Sequence, residues 1–196
     1  MGEHEINRAV FLDRDGVLNR PVVRNGRPFP PARLDEFELY PAAAEVCARL
    51  KAAGFLLVVV TNQPDVGRGT QTREIIEAMH AKLCAAIPSL NAIEVCFHAG
   101  AAHGEPCECR KPKPGMLLRA AAALDIELKQ SFLVGDRWRD VDCAHAAGCR
   151  AVFIDHGYSE ALGEKPEFTV SNLSEAVSAI LEVVPQNRLS RPIGRD

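Results

Sequence analysis

The stretch AVFLDRDGVLNR, residues 9–20, leads four apolar residues directly into two aspartates, Asp13 and Asp15. The apolar run predicts a buried strand, and Gly16 predicts a turn directly after it. Ligands of parallel α/β sheets bind just beyond the carboxyl ends of the strands, so this carboxylate pair stands where a functional site is expected. Taken alone, D-x-D-G is more often a simple turn than a site, because Asp and Gly both favour tight loops. Its meaning therefore depends on the residues at the ends of the other strands.

Further apolar runs rich in Val, Ile and Phe predict five more strands after residues 9–12, at 55–60, 93–97, 132–134, 151–154 and 168–170. Between the strands, apolar residues recur at helical spacing and predict helices at 41–53, 76–87, 116–124, 141–147 and 173–184. Strands that alternate with helices indicate a parallel sheet covered on both faces. The pattern therefore predicts a doubly wound α/β fold.

The domain organisation follows from the size of the chain. It has 196 residues, of which 47% are hydrophobic, which is enough for one substantial core but not for two full domains. We expect a single domain over residues 1–184. Residues 20–40 contain four prolines and predict a loop or small flap inserted after the first strand. Residues 98–115 interrupt the alternating pattern again, and 185–196 are expected to form a mobile tail.

Charge and apolar content exclude several classes of partner. The net charge of −3 and the pI near 6.1 leave no excess of positive charge for a nucleic acid or an anionic membrane. A small phosphorylated metabolite is the better expectation, and we expect the chain to act as a monomer. No run approaches the roughly eighteen apolar residues of a membrane span, and the N-terminus lacks the apolar stretch of a signal peptide. A cytoplasmic protein is therefore expected, and an odd number of cysteines, seven, argues against a disulfide framework there.

Polar residues follow the other predicted strands as well. Thr61 and Asn62 come after the second strand, Asp136 and Asp140 of GDRWRD after the fourth, and Lys111 lies between the third and fourth strands. Because the carboxyl ends of parallel strands meet at one edge of the sheet, we expect these side chains to converge with the first aspartate pair.

This set of residues predicts phosphate chemistry. Several carboxylates gathered together would repel one another without a cation, and oxygen ligands favour Mg²⁺, which shares its coordination shell with phosphate oxygens. One carboxylate can attack phosphorus and form an aspartyl-phosphate, while the other protonates the departing alcohol and later activates water. The lysine, the hydroxyl and the metal would neutralise the phosphoryl oxygens in the transition state.

At these residues the chain resembles phosphatases of the haloacid dehalogenase (HAD) superfamily, whose Rossmann-like fold the resemblance implies with a minimal cap. The four motifs of the superfamily match DRDG at 13–16, Thr61, Lys111 and GDRWRD at 135–140. The resemblance implies that Asp13 is the nucleophile and Asp15 the general acid and base, while Thr61 and Lys111 hold the phosphate.

The resemblance also implies a Mg²⁺ site. Its ligands would be Asp13, the backbone carbonyl of Asp15, and Asp136. Asp140 would support the metal-bound waters or Lys111.

A second metal is predicted by cysteines. Cys96, His98, Cys107 and Cys109 form a C-x-H and a C-x-C pair, which offer four ligands for a tetrahedral structural Zn²⁺ in a loop over residues 96–110. His103 could replace His98, and the alternative is a loop with incidental free thiols. The four cysteines outside this group are predicted to be small buried residues: Cys47, Cys84, Cys143 and Cys149.

The cysteine spacing, together with FLDRDGVLN, VVVTNQ and GRG, is similar over roughly residues 8–182 to a family of phosphatases that act on heptose bisphosphates and histidinol phosphate. In that family the zinc loop is structural. The resemblance implies substrate contacts from Asn62, Arg68 and Arg110, the last holding the non-reacting phosphate of a bisphosphate. The chain departs from the family pattern at Pro64 and Asp65, and in its longer segment 20–40.

Three functions remain open at this point. A heptose bisphosphate phosphatase acting at the 7-phosphate is favoured by the two arginines. A histidinol-phosphate phosphatase, or another small phosphomonoesterase, would use acidic residues of the inserted segment, Asp35, Glu36 or Glu38, to bind an amine. A zinc-stabilised binding module with a vestigial site is disfavoured because every catalytic residue type is present.

Overall fold

The computed structural model describes residues 7–24, 27–104 and 106–184, and the predicted tail 185–196 lies outside them. Its strands are β1 (Arg8–Leu12), β2 (Val22–Arg24), β3 (Arg27–Phe29), β4 (Phe55–Asn62), β5 (Ala92–Cys96), β6 (Phe132–Gly135), β7 (Arg150–Ile154) and β8 (Phe168–Val170). Its helices are α1 (Ala43–Ala52), α2 (Pro64–Gly67), α3 (Arg73–Ala86), α4 (Gly115–Leu124), α5 (Trp138–Ala147) and α6 (Leu173–Glu182).

Six of these strands form one parallel sheet in the order β5-β4-β1-β6-β7-β8. The sheet has two buried faces. On β4, Leu57 and Val59 pack with α1, α3 and α6, whereas Val58 and Val60 pack with α4 and α5. This arrangement confirms the predicted doubly wound α/β fold, and it explains why the strands read as continuous apolar runs rather than as alternating ones.

Strand β4 extends two residues beyond its predicted end. Thr61 and Asn62 continue the ladder by pairing with Val95 and Cys96 of β5. The two polar residues that were predicted to follow the strand are therefore part of it and pair in its last two positions. Their side chains are fixed by strand geometry and not by a flexible connection.

The inserted segment contains a small hairpin and an anchor. Strands β2 and β3 pair in antiparallel fashion, and Phe29 at the end of β3 is 44% exposed. A 3₁₀ turn at Leu34–Glu36 comes next, and Phe37 after it is completely buried in the main core. The segment thus adds a cover at one end and contributes to the core at the other.

The prediction that all four remaining cysteines are buried is wrong for Cys84. That residue is exposed, whereas Cys47, Cys143 and Cys149 are buried. On α3 the buried residues are Ile76, Met79 and Leu83, and position 84 lies about 100° further round the helix axis, outside that stripe. Within the described part of the chain, none of the helices has the length and apolar content to cross a membrane.

Candidate active site

The carboxyl edge of the sheet brings Lys111 between two carboxylates. Its Nζ lies 2.9 Å from Asp13 Oδ1 and 2.6 Å from Asp140 Oδ1, and it donates to the carbonyl of Val60 at 2.8 Å. The Lys111 side chain is 1% exposed. Burial lowers the pKa of Lys111, but the charges of Asp13 and Asp140 outweigh this and raise the pKa above its ordinary value. The lysine therefore stays protonated and holds both carboxylates.

Asp136 joins this group as a third carboxylate. One oxygen each of Asp13, Asp136 and Asp140 lie within 4.8 Å of one another, and Asp136 Oδ1 is buried without a hydrogen-bond partner among the described residues. Burial, followed by the neighbouring carboxylates, raises the pKa of Asp136 well above its ordinary value, and burial raises the pKa of Asp13 to about 6 against the opposing effect of Lys111. A crowded, partly unsatisfied set of buried oxygens fits a hard divalent cation.

Gly16 allows the first loop to approach Asp136 this closely. Its φ is +90°, in the region that favours glycine, and a Cβ at this position would lie 2.0 Å from Asp136 Oδ2. The glycine of DRDG is thus required both by the turn and by the close contact between two of the motif loops.

Asp15 is held apart from the three clustered carboxylates by hydrogen-bond donors. Arg14 Nη2 lies 3.0 Å from each of its two oxygens, Asn19 Nδ2 donates to Oδ1 at 3.0 Å, and Gln63 Nε2 donates to Oδ2 at 2.9 Å. Gln63 also lies 2.8 Å from Thr61 Oγ1, so it connects the first loop to the end of β4. These donors orient the Asp15 carboxylate.

Asn62 connects β4 to the loop that carries Lys111. Its Oδ1 accepts from the Lys111 backbone N–H and its Nδ2 donates to the Lys111 carbonyl, both at 3.1 Å. Asn62 also faces the pocket, where its predicted contact with substrate stays a prediction. Its visible effect is to position Lys111.

A pocket of about 350 Å³ opens in front of these residues. Its cationic lining residues are Arg68, Arg110, Arg137 and Arg139, of which Arg137 also pairs with Glu160. Its apolar lining residues from the inserted segment are Pro21, Pro28, Phe29 and Pro30. The pocket therefore offers positive charge for an anionic group in addition to Lys111.

Arg110 is one of the partly buried arginines that line the pocket. Its Nη1 is buried without a hydrogen-bond partner in the part of the chain that the structure describes, and burial together with the charges of Arg139 and Arg68 lowers its pKa. Gly100, with φ +100°, lies against it, since a Cβ there would be 3.3 Å from Arg110 Nε. Arg68 is paired with Asp65 at 3.1 Å, so one of the positions where the chain departs from the family pattern holds a pocket arginine.

The predicted zinc ligands lie together, and the last of them, Cys109, directly precedes Arg110. His98 Nδ1 is 3.2 Å from Cys109 Sγ and 3.6 Å from Cys96 Sγ, and Cys96 Sγ is 3.7 Å from Cys107 Sγ. The four ligand atoms all lie within 4.8 Å of one another, and His103 is not among them. Three sulfurs and one imidazole nitrogen in this arrangement fit a tetrahedral Zn²⁺.

Comparison with known proteins agrees with this geometry. A sequence-family profile described as HAD-hydrolase-like matches residues 108–176. The D-glycero-β-D-manno-heptose-1,7-bisphosphate 7-phosphatase of Pseudomonas aeruginosa is 35% identical over 179 residues, which cover 88% of this chain and 97% of the relative. The chain belongs to this phosphatase family. It is therefore a phosphomonoester hydrolase of the HAD type.

Other members of the heptose bisphosphate phosphatase family are similar. The enzyme of the same name from Yersinia pestis is 40% identical over 147 residues, covering 71% of this chain and 75% of the relative. The crystal structure of D,D-heptose 1,7-bisphosphate phosphatase from B. bronchiseptica, complexed with magnesium and phosphate, has a TM-score of 0.73 and 28% identity and covers 90% of this chain and 99% of that one.

Several residues of this phosphatase site were not identified from sequence. Arg14, Asn19 and Gln63 bind the Asp15 carboxylate, and Arg137 and Arg139 line the pocket. All five lie within or next to the quoted motifs, and this position is the feature of the sequence from which they could have been identified. Adjacency along the chain does not say which of these side chains turns inward, so only the packed structure separates them from ordinary loop residues.

Proposed function

We propose that this phosphatase hydrolyses the 7-phosphate of D-glycero-D-manno-heptose 1,7-bisphosphate through an aspartyl-phosphate. One observation carries the proposal: a single pocket is lined both by the carboxylate and lysine cluster and by four arginines, among them Arg110, whose Nη1 is buried without a hydrogen-bond partner among the described residues. A substrate with two phosphates would place one at the cluster and the other at these arginines. The names of the related enzymes support the same substrate.

In the proposed reaction, Asp13 is the nucleophile. Its Oδ1 accepts from the Arg14 backbone N–H at 2.7 Å and contacts Lys111, which leaves Oδ2 for attack on phosphorus. As the new O–P bond forms, the bond to the ester oxygen breaks and Asp15 transfers its proton to that oxygen. Asp15, now a carboxylate, then takes a proton from the water that hydrolyses the acyl phosphate. Thr61 and Lys111 hold the phosphoryl oxygens.

The residues that would bind Mg²⁺ are Asp13, Asp136 and the backbone carbonyl of Asp15. When bound, the ion supplies positive charge to the phosphoryl oxygens in the transition state. The short ion pair with Lys111 supports the expectation that Asp140 acts through that lysine. The unpaired oxygen of buried Asp136 supports its assignment as a ligand.

The histidinol-phosphate alternative is not favoured by the inserted segment. Asp35 pairs with Arg33, Glu36 accepts from the Ala32 backbone N–H at 2.9 Å, and Glu38 pairs with Arg20 at 3.3 Å. None of these three carboxylates is among the residues that line the described pocket. These three carboxylates therefore do not supply the acidic partner that an amine-bearing substrate was expected to use.

The test of this function measures initial phosphate release by wild type and Arg110→Gln, with Mg²⁺ and with EDTA. The substrates are the heptose bisphosphate, fructose 1,6-bisphosphate, histidinol phosphate and an aryl phosphate. We expect the wild type to prefer the heptose bisphosphate and to need Mg²⁺. Arg110→Gln should raise KM for the bisphosphate by roughly 10- to 100-fold and change KM for the aryl phosphate little, since a charge-assisted hydrogen bond contributes roughly 1.5–3 kcal/mol.

Arg49→Gln serves as the matched control, because Arg49 is exposed on α1 away from the pocket. It should leave every KM unchanged. Equal losses on the bisphosphate and the aryl phosphate in Arg110→Gln would contradict the second-phosphate assignment. A preference for histidinol phosphate would replace the proposed substrate.

We also propose that Cys96, His98, Cys107 and Cys109 bind a structural Zn²⁺ that orders the loop ahead of Lys111. Zinc analysis of protein purified without chelator should find about one ion per chain, and Cys109→Ser should lose it together with thermal stability, because metal binding is coupled to folding. Exposed Cys84 provides the control, since Cys84→Ser should keep both. Full stability in a zinc-free Cys109→Ser protein would count against a structural ion.

The cytoplasmic location, the monomeric state and the absence of nucleic-acid and membrane partners stay predictions of the sequence. Each is consistent with an enzyme that acts on a small phosphorylated sugar.

A further inference from the structure

Arg14, between the two motif aspartates, is completely buried and is the largest of the fully buried side chains. Its Nη2 is shared between both oxygens of Asp15 and its Nε lies 3.3 Å from Oδ1. The guanidinium also lies over the ring of Phe37, at 5.4 Å from the ring centroid. A buried arginine needs a partner for each N–H group, and the remaining end of this one points away from the first loop.

That remaining end meets His80 of α3. Arg14 Nη1 lies 3.2 Å from His80 Nε2. Because a guanidinium can only donate, His80 Nε2 is the acceptor and its ring proton is on Nδ1. Burial, and then the charge of Arg14, lower the pKa of His80 to about 4, so the ring stays neutral and keeps accepting near neutral pH.

We propose that His80 and Arg14 are positioning residues for Asp15: His80 holds the Arg14 guanidinium, which in turn holds the Asp15 carboxyl for proton transfer at the ester oxygen. The inference rests on the proposed function, since it presumes that Asp15 is the general acid and base. Asn19 and Gln63 each bind one oxygen of Asp15, whereas Arg14 spans both oxygens and so defines the plane of the carboxyl group.

The contact with His80 is what keeps Arg14 in this orientation. Without an acceptor at position 80, Nη1 would be a buried donor without a partner, and the guanidinium would rotate to satisfy it. Rotation of the guanidinium would tilt the Asp15 carboxyl. Among the hydrogen bonds of the described residues, Arg14 is the one link between α3 and Asp15. A small misplacement of a catalytic group lowers the rate by as much as roughly 100-fold.

The consequence depends on the leaving group. In the first half-reaction, the Asp15 proton moves to the ester oxygen while the P–O bond breaks and the Asp13–phosphorus bond forms. A sugar alkoxide needs that proton, whereas 2,4-dinitrophenolate is a stable anion and leaves without it. Misplacing Asp15 therefore slows the first turnover of a sugar phosphate much more than that of 2,4-dinitrophenyl phosphate.

The test compares His80→Leu, which removes the acceptor, with His80→Gln, which restores one at a similar reach. Rapid-quench experiments measure the first-turnover release of the leaving group from 2,4-dinitrophenyl phosphate and from the sugar phosphate that the wild type hydrolyses fastest. We expect His80→Leu to slow the sugar phosphate by roughly 10- to 100-fold and the aryl phosphate by less than about 3-fold. His80→Gln should recover most of the loss.

His145→Gln is the matched histidine control, because His145 pairs with Glu164 and Glu167 and is not among the residues that line the described pocket. It should behave as wild type. Equal losses of His80→Leu on both substrates, or no loss on the sugar phosphate, would overturn the inference while leaving the proposed function intact. A wild-type enzyme that releases neither leaving group would overturn the proposed function and this inference with it.

Discussion

Asp13→Asn is expected to lower kcat by roughly 10⁴-fold or more, because removal of the nucleophile of a catalytic unit abolishes the covalent route. An amide cannot attack phosphorus as a carboxylate does, yet it has nearly the same shape. Its oxygen can still accept from the Arg14 backbone N–H and from Lys111. The fold should therefore persist, as measured by circular dichroism and thermal melting, while steady-state kinetics and the phosphoenzyme signal in intact-mass spectra fall together.

Asp125→Asn is the matched control for this substitution. Asp125 ends α4 with a φ of 50°, a conformation that asparagine also adopts readily. Activity should be unchanged there. Wild-type activity that Asp13→Asn abolishes would also exclude the zinc-stabilised binding module, whereas substantial activity in Asp13→Asn would assign the nucleophile elsewhere.

Lys111→Met is expected to reduce kcat by roughly 10²- to 10³-fold and the free energy of unfolding by about 3–5 kcal/mol. The side chain is 1% exposed and its single charge is shared by Asp13 and Asp140, so a methionine leaves two buried carboxylates without their common cation. Mg²⁺ titration during urea unfolding would measure how much of that loss a cation recovers. Mg²⁺ binds near the same carboxylates, so we expect partial recovery of stability without recovery of rate.

Lys113→Met separates this effect from a general loss of charge. Lys113 is two residues away and is 47% exposed in its side chain, where it pairs with Glu108 at 2.7 Å. An exposed pair contributes at most about 1 kcal/mol, so stability and kcat should both remain close to wild type. Similar losses in the two lysine variants would show that the effect of Lys111→Met does not come from its contacts with Asp13 and Asp140.

Much of the fold was predictable because apolar periodicity is a local property. The runs at residues 9–12 and 55–60 became β1 and β4, and the alternation of strands with helical stripes predicted the doubly wound sheet. Errors arose where a residue's environment depends on position around a helix or along a ladder. Cys84 faces outward on α3, and Thr61 continues β4 because β5 offers it a pairing partner.

The convergence of the site was predictable for a related reason. The carboxyl ends of parallel strands share one edge, so Asp13, Lys111 and Asp136 could be brought together from their places after successive strands. The inserted segment was harder, since prolines indicate irregular structure but not its direction. Only the structure shows that Phe29 borders the pocket while Phe37 enters the core.

The sequence predicted the strands of the sheet, the polar residues at their carboxyl ends and the cysteines of the candidate zinc site from local pattern and residue type, but it left His98 and His103 open as the fourth ligand. Only the tertiary structure shows which other side chains contact and position these site residues. Arg14 meets His80 across 66 positions, and Asn62 meets Lys111 across 49. Such contacts depend on how helices and loops pack across the finished sheet, and no spacing along the chain encodes that packing.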